Sequence, residues 1–258
     1  MFKFNKNFGQ NFISNDILIN RIVDNAKIDK DTLVIEVGPG MGALTKKIVP
    51  LSGFSVIYEI DDRLEEPLNN MLSNFNNYKL IINDFMNVDL NEEISKYNYG
   101  KIVFISNLPY YITSPILSKL INDNIIFDKI VVMTQKEFAD KLISVKHTGS
   151  LDVLLKSFYN ITKPFNISKG YFNPIPNVDS ALLVMDNNDK YKDVVNIDKY
   201  IKFVKDCFVQ KRKSIKNNLK NYDLLKIEDV LKENSKDLSI RAEDINVDLF
   251  IKIANRLD

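Results

Sequence analysis

Five short β-branched apolar runs alternate with segments of helical spacing through the first half of the chain. They are Thr32–Val37, Ser55–Ile60, Lys79–Ile82, Lys101–Ile105 and Lys129–Met133. A strand buried on both faces reads as a continuous apolar run, because neither face meets water. Between the runs, Leu44, Ile48 and Leu51, and then Ile116, Leu117, Leu120 and Ile121, recur at helical intervals. Strands that alternate with helices make a parallel sheet covered on both sides, an α/β architecture. Phe158–Ile161 and Ser180–Val184 read as two further strands around a loop holding Pro174 and Pro176, which makes seven. Asp186–Lys190 is a polar break that reads as a linker, and everything after it reads as helix. The expected organisation is a sheet domain at 1–190 and a small all-helical domain at 191–258.

Composition excludes several classes. With 45% apolar and 10% aromatic residues, the 258-residue chain has ample material for a core and is not disordered. Cys207 and His147 are its only cysteine and histidine, so neither a disulfide scaffold nor a Cys/His zinc cluster is available. No run approaches the roughly 18–20 apolar residues of a membrane span, and Met1–Asn7 lacks a signal peptide's apolar core. The expectation is a soluble cytoplasmic protein with no membrane or metal partner, acting as a monomer.

The first strand runs into Glu36-Val37-Gly38-Pro39-Gly40-Met41-Gly42-Ala43. Glycines at such a turn let the backbone approach a ligand at a helix N-terminus, and Gly38, Gly40 and Ala43 fit the dinucleotide-binding spacing. Glu59 ends the second strand, where a carboxylate would accept from two ribose hydroxyls. Together they imply an adenosine-bearing cofactor, a nicotinamide dinucleotide or S-adenosylmethionine. Glu36 suits a ligand with a cationic amine and favours the second.

Ser106-Asn107-Leu108-Pro109-Tyr110-Tyr111 follows the fourth strand and therefore faces the same cleft. Asn107 offers a side-chain carbonyl. Leu108 precedes proline and is held extended, and Tyr110 supplies an aromatic plate. Two acceptors beside a ring suit the exocyclic amine of a planar base. They can draw its nitrogen toward tetrahedral geometry and free the lone pair for attack on a methyl group.

Asn107-Leu108-Pro109-Tyr110 resembles the signature of methyltransferases that act on adenine N6. Gly9–Ile13, Phe172–Ala181, Lys211–Leu219 and Ile240–Glu243 narrow the resemblance to the ribosomal RNA adenine dimethylases, small-subunit branch. The resemblance spans residues 9 to 256. It implies a Rossmann-like S-adenosylmethionine methyltransferase fold with a mostly parallel seven-stranded sheet. The implied activity is dimethylation of two adjacent adenosines in the 3′-terminal hairpin of small-subunit (16S) rRNA within the 30S particle, linked to ribosome biogenesis. By position, Asn11, Ile13, Gly38, Glu59, Asp84 and Asn107 would line the cofactor site, with Gly40 in the loop and Phe85 against the adenine. Asn107, Leu108, Pro109 and Tyr110 would form the target-base pocket, with Phe172 as its second wall.

The net charge of +1 is low for an RNA binder, and the N-terminal arm carries only Lys3 and Lys6. The basic residues concentrate in 199–220, which has a net charge of +7, with Lys211, Arg212 and Lys213 densest and Lys216 one helical turn beyond Arg212. This run is the expected phosphate-contacting surface. The alternatives are a large-subunit dimethylase of the antibiotic-resistance type, a mainly non-enzymatic ribosome-assembly factor and, more distantly, a nicotinamide oxidoreductase. Leu108, where the large-subunit group usually has Ile, and Pro174–Ala181 argue against the first. The intact Asn107–Tyr110 motif argues against a purely non-enzymatic role.

Overall fold

A computed structural model describes residues 11–210 and 212–258. In chain order its elements are β1 (Phe12–Ile13), α1 (Asp16–Ala26), β2 (Thr32–Val37), α2 (Thr45–Leu51), β3 (Phe54–Glu59), α3 (Glu65–Leu72), β4 (Tyr78–Ile82), α4 (Leu90–Ile94), β5 (Lys101–Asn107), α5 (Thr113–Asn122) and β6 (Lys129–Gln135). They continue with α6 (Lys136–Ile143), α7 (Ser150–Phe158), β7 (Tyr159–Thr162), β8 (Asn166–Ile167), β9 (Phe172–Asn173), β10 (Ser180–Asn187), α8 (Ile197–Cys207), α9 (Ile215–Asn218), α10 (Leu224–Glu233) and α11 (Val247–Leu257).

The five expected strands all form, and they pair in parallel in the order β4-β3-β2-β5-β6, followed by antiparallel β10. β7 follows β10 in that order, and the two-residue β8 adds an eighth strand to the expected seven. The register sets Ile35 beside Val56 on one side and Phe104 on the other. All six residues of β2 are buried, as a central parallel strand requires. One face packs Val34, Val103, Val131 and Leu182 against Ile19, Ile22 and Val23 of α1. Asn15 caps α1 by accepting from the Leu18 amide at 2.8 Å.

The described residues form two compact units, a division that differs from a single cut near residue 190. The first holds residues up to Lys119 together with Phe127–Asp140 and Thr162–Asp186. The second holds Leu120–Ile126, Lys141–Ile161 and Asn187–Asp258. Its helices α7, α8, α10 and α11 bury Phe203 and Phe250 edge to face at 6.3 Å, and Ser157 and Tyr200 share a buried hydroxyl bond of 2.6 Å. Helix α7 has no separate signature in the sequence, yet it supplies this bond.

Within the polar stretch 186–190 the chain passes from the first unit to the second, between Asp186 and Asn187, and the stretch is locally ordered. Asp186 and Asn187 continue β10. The chain then turns with Asn187 Oδ1 accepting from Asp189 N and Asn188 Oδ1 accepting from Lys190 N, at 2.9 and 3.0 Å. Asn side chains here replace main-chain partners, which gives order to a segment that composition alone reads as loose. The reading of uninterrupted helix also fails between α8 and α9, where Val209, Gln210, Arg212 and Lys213 lie in turn and bend. No helix among the described residues is long and apolar enough to cross a membrane.

Candidate active site

The cleft lies beyond the carboxyl ends of β2, β3, β4 and β5, all in the first unit. Asn11, Ile13, Gly38, Gly40, Glu59, Asp84, Phe85, Asn107, Leu108, Pro109, Tyr110 and Phe172 all line it. The expected cofactor and base-pocket residues thus come together in one place.

After Val37 the chain turns through Gly38 and Gly40, at φ +66° and +56°, conformations that side chains with a Cβ rarely adopt. At Gly38 the position of a Cβ is open space, which leaves room for a ligand. At Gly40 it is filled instead, since a Cβ would fall 2.5 Å from Phe12 Cε1. The following helix begins only at Thr45, so more of the loop lies outside regular structure than the motif suggests.

Two carboxyl groups meet this loop in different states. Glu59, 4% exposed, accepts from the amides of Ile60, Asp61 and Gly40 at 2.9, 3.0 and 3.1 Å. Burial raises its pKa, and those three donors pull against that shift. Glu36, 1% exposed, has Oε2 without a hydrogen-bond partner. Burial, opposed by the Thr45 hydroxyl and reinforced by Glu59, pushes its pKa up to about 8. A cation brought near would relieve that cost.

Asp84 accepts through Oδ1 from the Met86 amide at 2.9 Å, which caps the 3-10 turn Phe85–Asn87 at the edge of the cleft. Phe85 meets Tyr58 edge-on at 5.2 Å and lies 6.2 Å from Phe104, so it is one wall of an aromatic row.

Asn107 ends β5 and donates from Nδ2 to the main-chain carbonyl of Asn11 at 3.0 Å, which leaves Oδ1 as the acceptor. The Ile112 amide bonds the Pro109 carbonyl rather than that of Leu108. The Tyr110 ring is held by its hydroxyl, 2.7 Å from Ser180 Oγ, a tie with no signal in the sequence. Phe172, only 3% exposed, serves the core as well as the cleft and pairs through β9 with Ile13 of β1. Phe12, Asn83 and Tyr111 also line the cleft, beyond the residues expected there. The signal for Phe12 is Gly40, whose missing side chain makes room for its ring.

The basic run lies in the second unit and divides in two. Lys199 and Lys202 are tied to Asp258 and Asp206 at 2.5 and 2.7 Å. Arg212, Lys213, Lys216 and Lys220 have no ion pair among the described residues. Lys211 lies outside the described residues. Arg212 and Lys213 sit in the turn before the four-residue α9, so Lys216 is not one helical turn beyond Arg212. Ser214 pairs with Arg241 in an isolated bridge there, which takes the backbone out of helical pairing. Among the described residues no three His, Cys, Asp or Glu side chains are grouped to hold a metal ion. Cys207 is buried and its thiol pKa is raised, so it is no nucleophile.

The family model described as ribosomal RNA adenine dimethylase matches residues 1–258. Ribosomal RNA small subunit methyltransferase A of Fusobacterium nucleatum subsp. nucleatum is 38% identical over 98% of this chain and 97% of its own. The protein of the same name from Mycoplasma mycoides subsp. mycoides SC is 41% identical over the same shares. A solved dimethyladenosine transferase from Plasmodium falciparum has a TM-score of 0.77 at 25% identity, covering 94% of this chain and 95% of that one. A solved 23S rRNA methyltransferase, with TM-score 0.71 and 24% identity over 96% of this chain and all of that one, shares the fold. Matched along its whole length by the family model and nearly all of it by these relatives, the chain belongs to the ribosomal RNA adenine dimethylase family.

Proposed function

We propose that the chain dimethylates N6 of two adjacent adenosines in the 3′-terminal hairpin of small-subunit rRNA, within the 30S particle, drawing each methyl group from S-adenosylmethionine. The observation that carries this reading is the Asn107 amide, whose Nδ2 donates to the Asn11 carbonyl and so leaves Oδ1 as its acceptor, in a cleft that Leu108 and Tyr110 also line. The names of the close relatives support the small subunit as the target. We further propose that the enzyme works in the cytoplasm as a monomer.

The residues present fit that cofactor. Glu59, already held as a fork by three amides, suits vicinal ribose hydroxyls. Asp84 and Phe85 suit an adenine edge and face. The unpartnered oxygen of Glu36 suits a cationic amine. When bound, the cofactor supplies a methyl group on a positively charged sulfur. Asn107 Oδ1 and the Leu108 carbonyl would accept the N–H bonds of the target amine, two before the first transfer and one before the second, and localise its lone pair for attack on that methyl group. The sulfur–methyl bond breaks as the nitrogen–methyl bond forms, and the displaced N–H proton leaves to solvent. The Tyr110 ring stacks on the base and keeps water from the reacting nitrogen. These groups act by position and charge, and they count only insofar as they grip the transition state more tightly than the ground state. Arg212, Lys213 and Lys216, with Lys211 before them, are proposed to hold the RNA backbone, which is independent of base identity.

Methyl-tritiated S-adenosylmethionine offered with unmethylated small subunits should label two adjacent adenosines of the hairpin. Label confined to large-subunit rRNA would replace this reading with the antibiotic-resistance type.

A further inference from the structure

A primary amide presents an acceptor at one end and donors at the other. Only one of its two orientations can receive an amine's N–H bonds. In the flipped orientation the Asn107 amide would set its own N–H groups against those of the target base. What selects the productive orientation is a main-chain carbonyl, that of Asn11, which takes the Nδ2 proton at 3.0 Å. That carbonyl belongs to a segment with little secondary structure of its own, because β1 is two residues long.

Two features fix it. Ile13 is buried in the core and pairs with Phe172, while Phe12 pairs with Asn173. The ring of Phe12 rests directly on Gly40, with Cε1 and Cδ1 at 2.5 and 2.8 Å from where a Cβ would stand. The Gly40 amide is itself held by Glu59 at 3.1 Å. An unbroken line of packing and hydrogen bonds therefore runs from the glycine loop through Phe12 and the Asn11 carbonyl to the Asn107 amide.

We propose that Phe12 is a positioning residue for methyl transfer: wedged on Gly40, it holds the Asn11 carbonyl where it keeps the Asn107 oxygen turned toward the target amine. This rests on the adenine N6 chemistry proposed above and adds to it a residue that touches neither reacting atom.

The test is single-turnover methyl transfer at saturating cofactor and RNA in four proteins: wild type, Phe12→Ala, Asn107→Ala and the double variant. Phe12→Ala is expected to slow transfer by about tenfold or more with RNA affinity unchanged. In the Asn107→Ala background the same change is expected to cost less than about twofold, because there is no amide left to orient. Phe12→Leu, which refills the space over Gly40, is expected to recover most of the rate. Equal slowing in both backgrounds, or none in Phe12→Ala, would overturn the proposal. A wild-type rate in Asn107→Ala would overturn it by removing the chemistry beneath it, a result distinct from equal slowing. Should Phe12→Ala fail to fold, Phe12→Val carries the same comparison.

Discussion

The main-chain N–H of Gly40 donates to Glu59 Oε2 at 3.1 Å, so the acid at the end of β3 also holds the glycine loop in place. Its Oε1 takes the amides of Ile60 and Asp61, which fixes the carboxylate as a fork facing the cleft. One side chain therefore carries two duties, and removing it should disturb both.

Glu59→Ala is expected to weaken cofactor binding by more than its own bonds to the ligand account for. Each hydrogen bond to a charged group is worth about 1.5–3 kcal/mol, so affinity should fall by at least about tenfold on the lower figure. Titration calorimetry with S-adenosylhomocysteine checks this, and RNA affinity should be little changed. Unchanged cofactor affinity would remove Glu59 from the site.

Glu36 makes stability depend on pH with a definite sign. Its folded pKa, about 8, lies above the ordinary value of 4.5, so the folded protein holds a proton that the unfolded chain releases. Stability from this group is fully present below pH 4.5 and is lost as pH rises through about 8. Glu59, also raised, adds in the same direction. Glu36→Gln should flatten the decline in melting temperature between about pH 5 and pH 8 in the ligand-free protein. A decline as steep as wild type's would show that Glu36 does not titrate there.

Tyr110 separates ring from hydroxyl. Tyr110→Phe removes only the bond to Ser180, worth about 0.5–1.5 kcal/mol of stability, and should keep most of the activity. Tyr110→Ala removes the stack itself, worth about 1–3 kcal/mol per base, and should lower kcat/KM by about tenfold or more. Equal effects on kcat/KM would place the hydroxyl rather than the ring at the base.

The basic run should behave as two sets. Changing Arg212, Lys213 and Lys216 to Gln should weaken binding of small subunits and reduce the log–log salt slope by about 0.7–0.9 for each phosphate no longer neutralised. Lys199→Gln and Lys202→Gln should do little, because Asp258 and Asp206 already neutralise those side chains. Equal salt slopes for both sets would show that these ion pairs do not decide which lysines meet RNA.

What is legible in the sequence follows from what each segment must satisfy locally. Thr32–Val37 can be read because a strand buried on both faces is a nearly continuous apolar run, here interrupted only by Thr32 and Glu36. Gly38 and Gly40 can be read because their backbone disfavours other residues, and Asn107–Tyr110 because its composition is unusual. The β1–β9 pair cannot, since two-residue strands carry no periodicity and their partners lie far apart along the chain. Arg212 and Lys213 read as helix because lysines and arginines favour helices in isolation. The bridge from Ser214 to Arg241 overrides that preference. The joining of 141–161 to the C-terminal helices depends on bonds such as that of Ser157 with Tyr200, which no local window contains.

The most direct test of the central claim is mass spectrometry of the 3′-terminal rRNA fragment after unmethylated small subunits react with S-adenosylmethionine and the wild-type chain, or with Asn107→Ala. The account predicts four added methyl groups, two on each of two adjacent adenosines, with the wild type and almost none with Asn107→Ala, which should stay folded. Full dimethylation by Asn107→Ala, or none by the wild type, would contradict it.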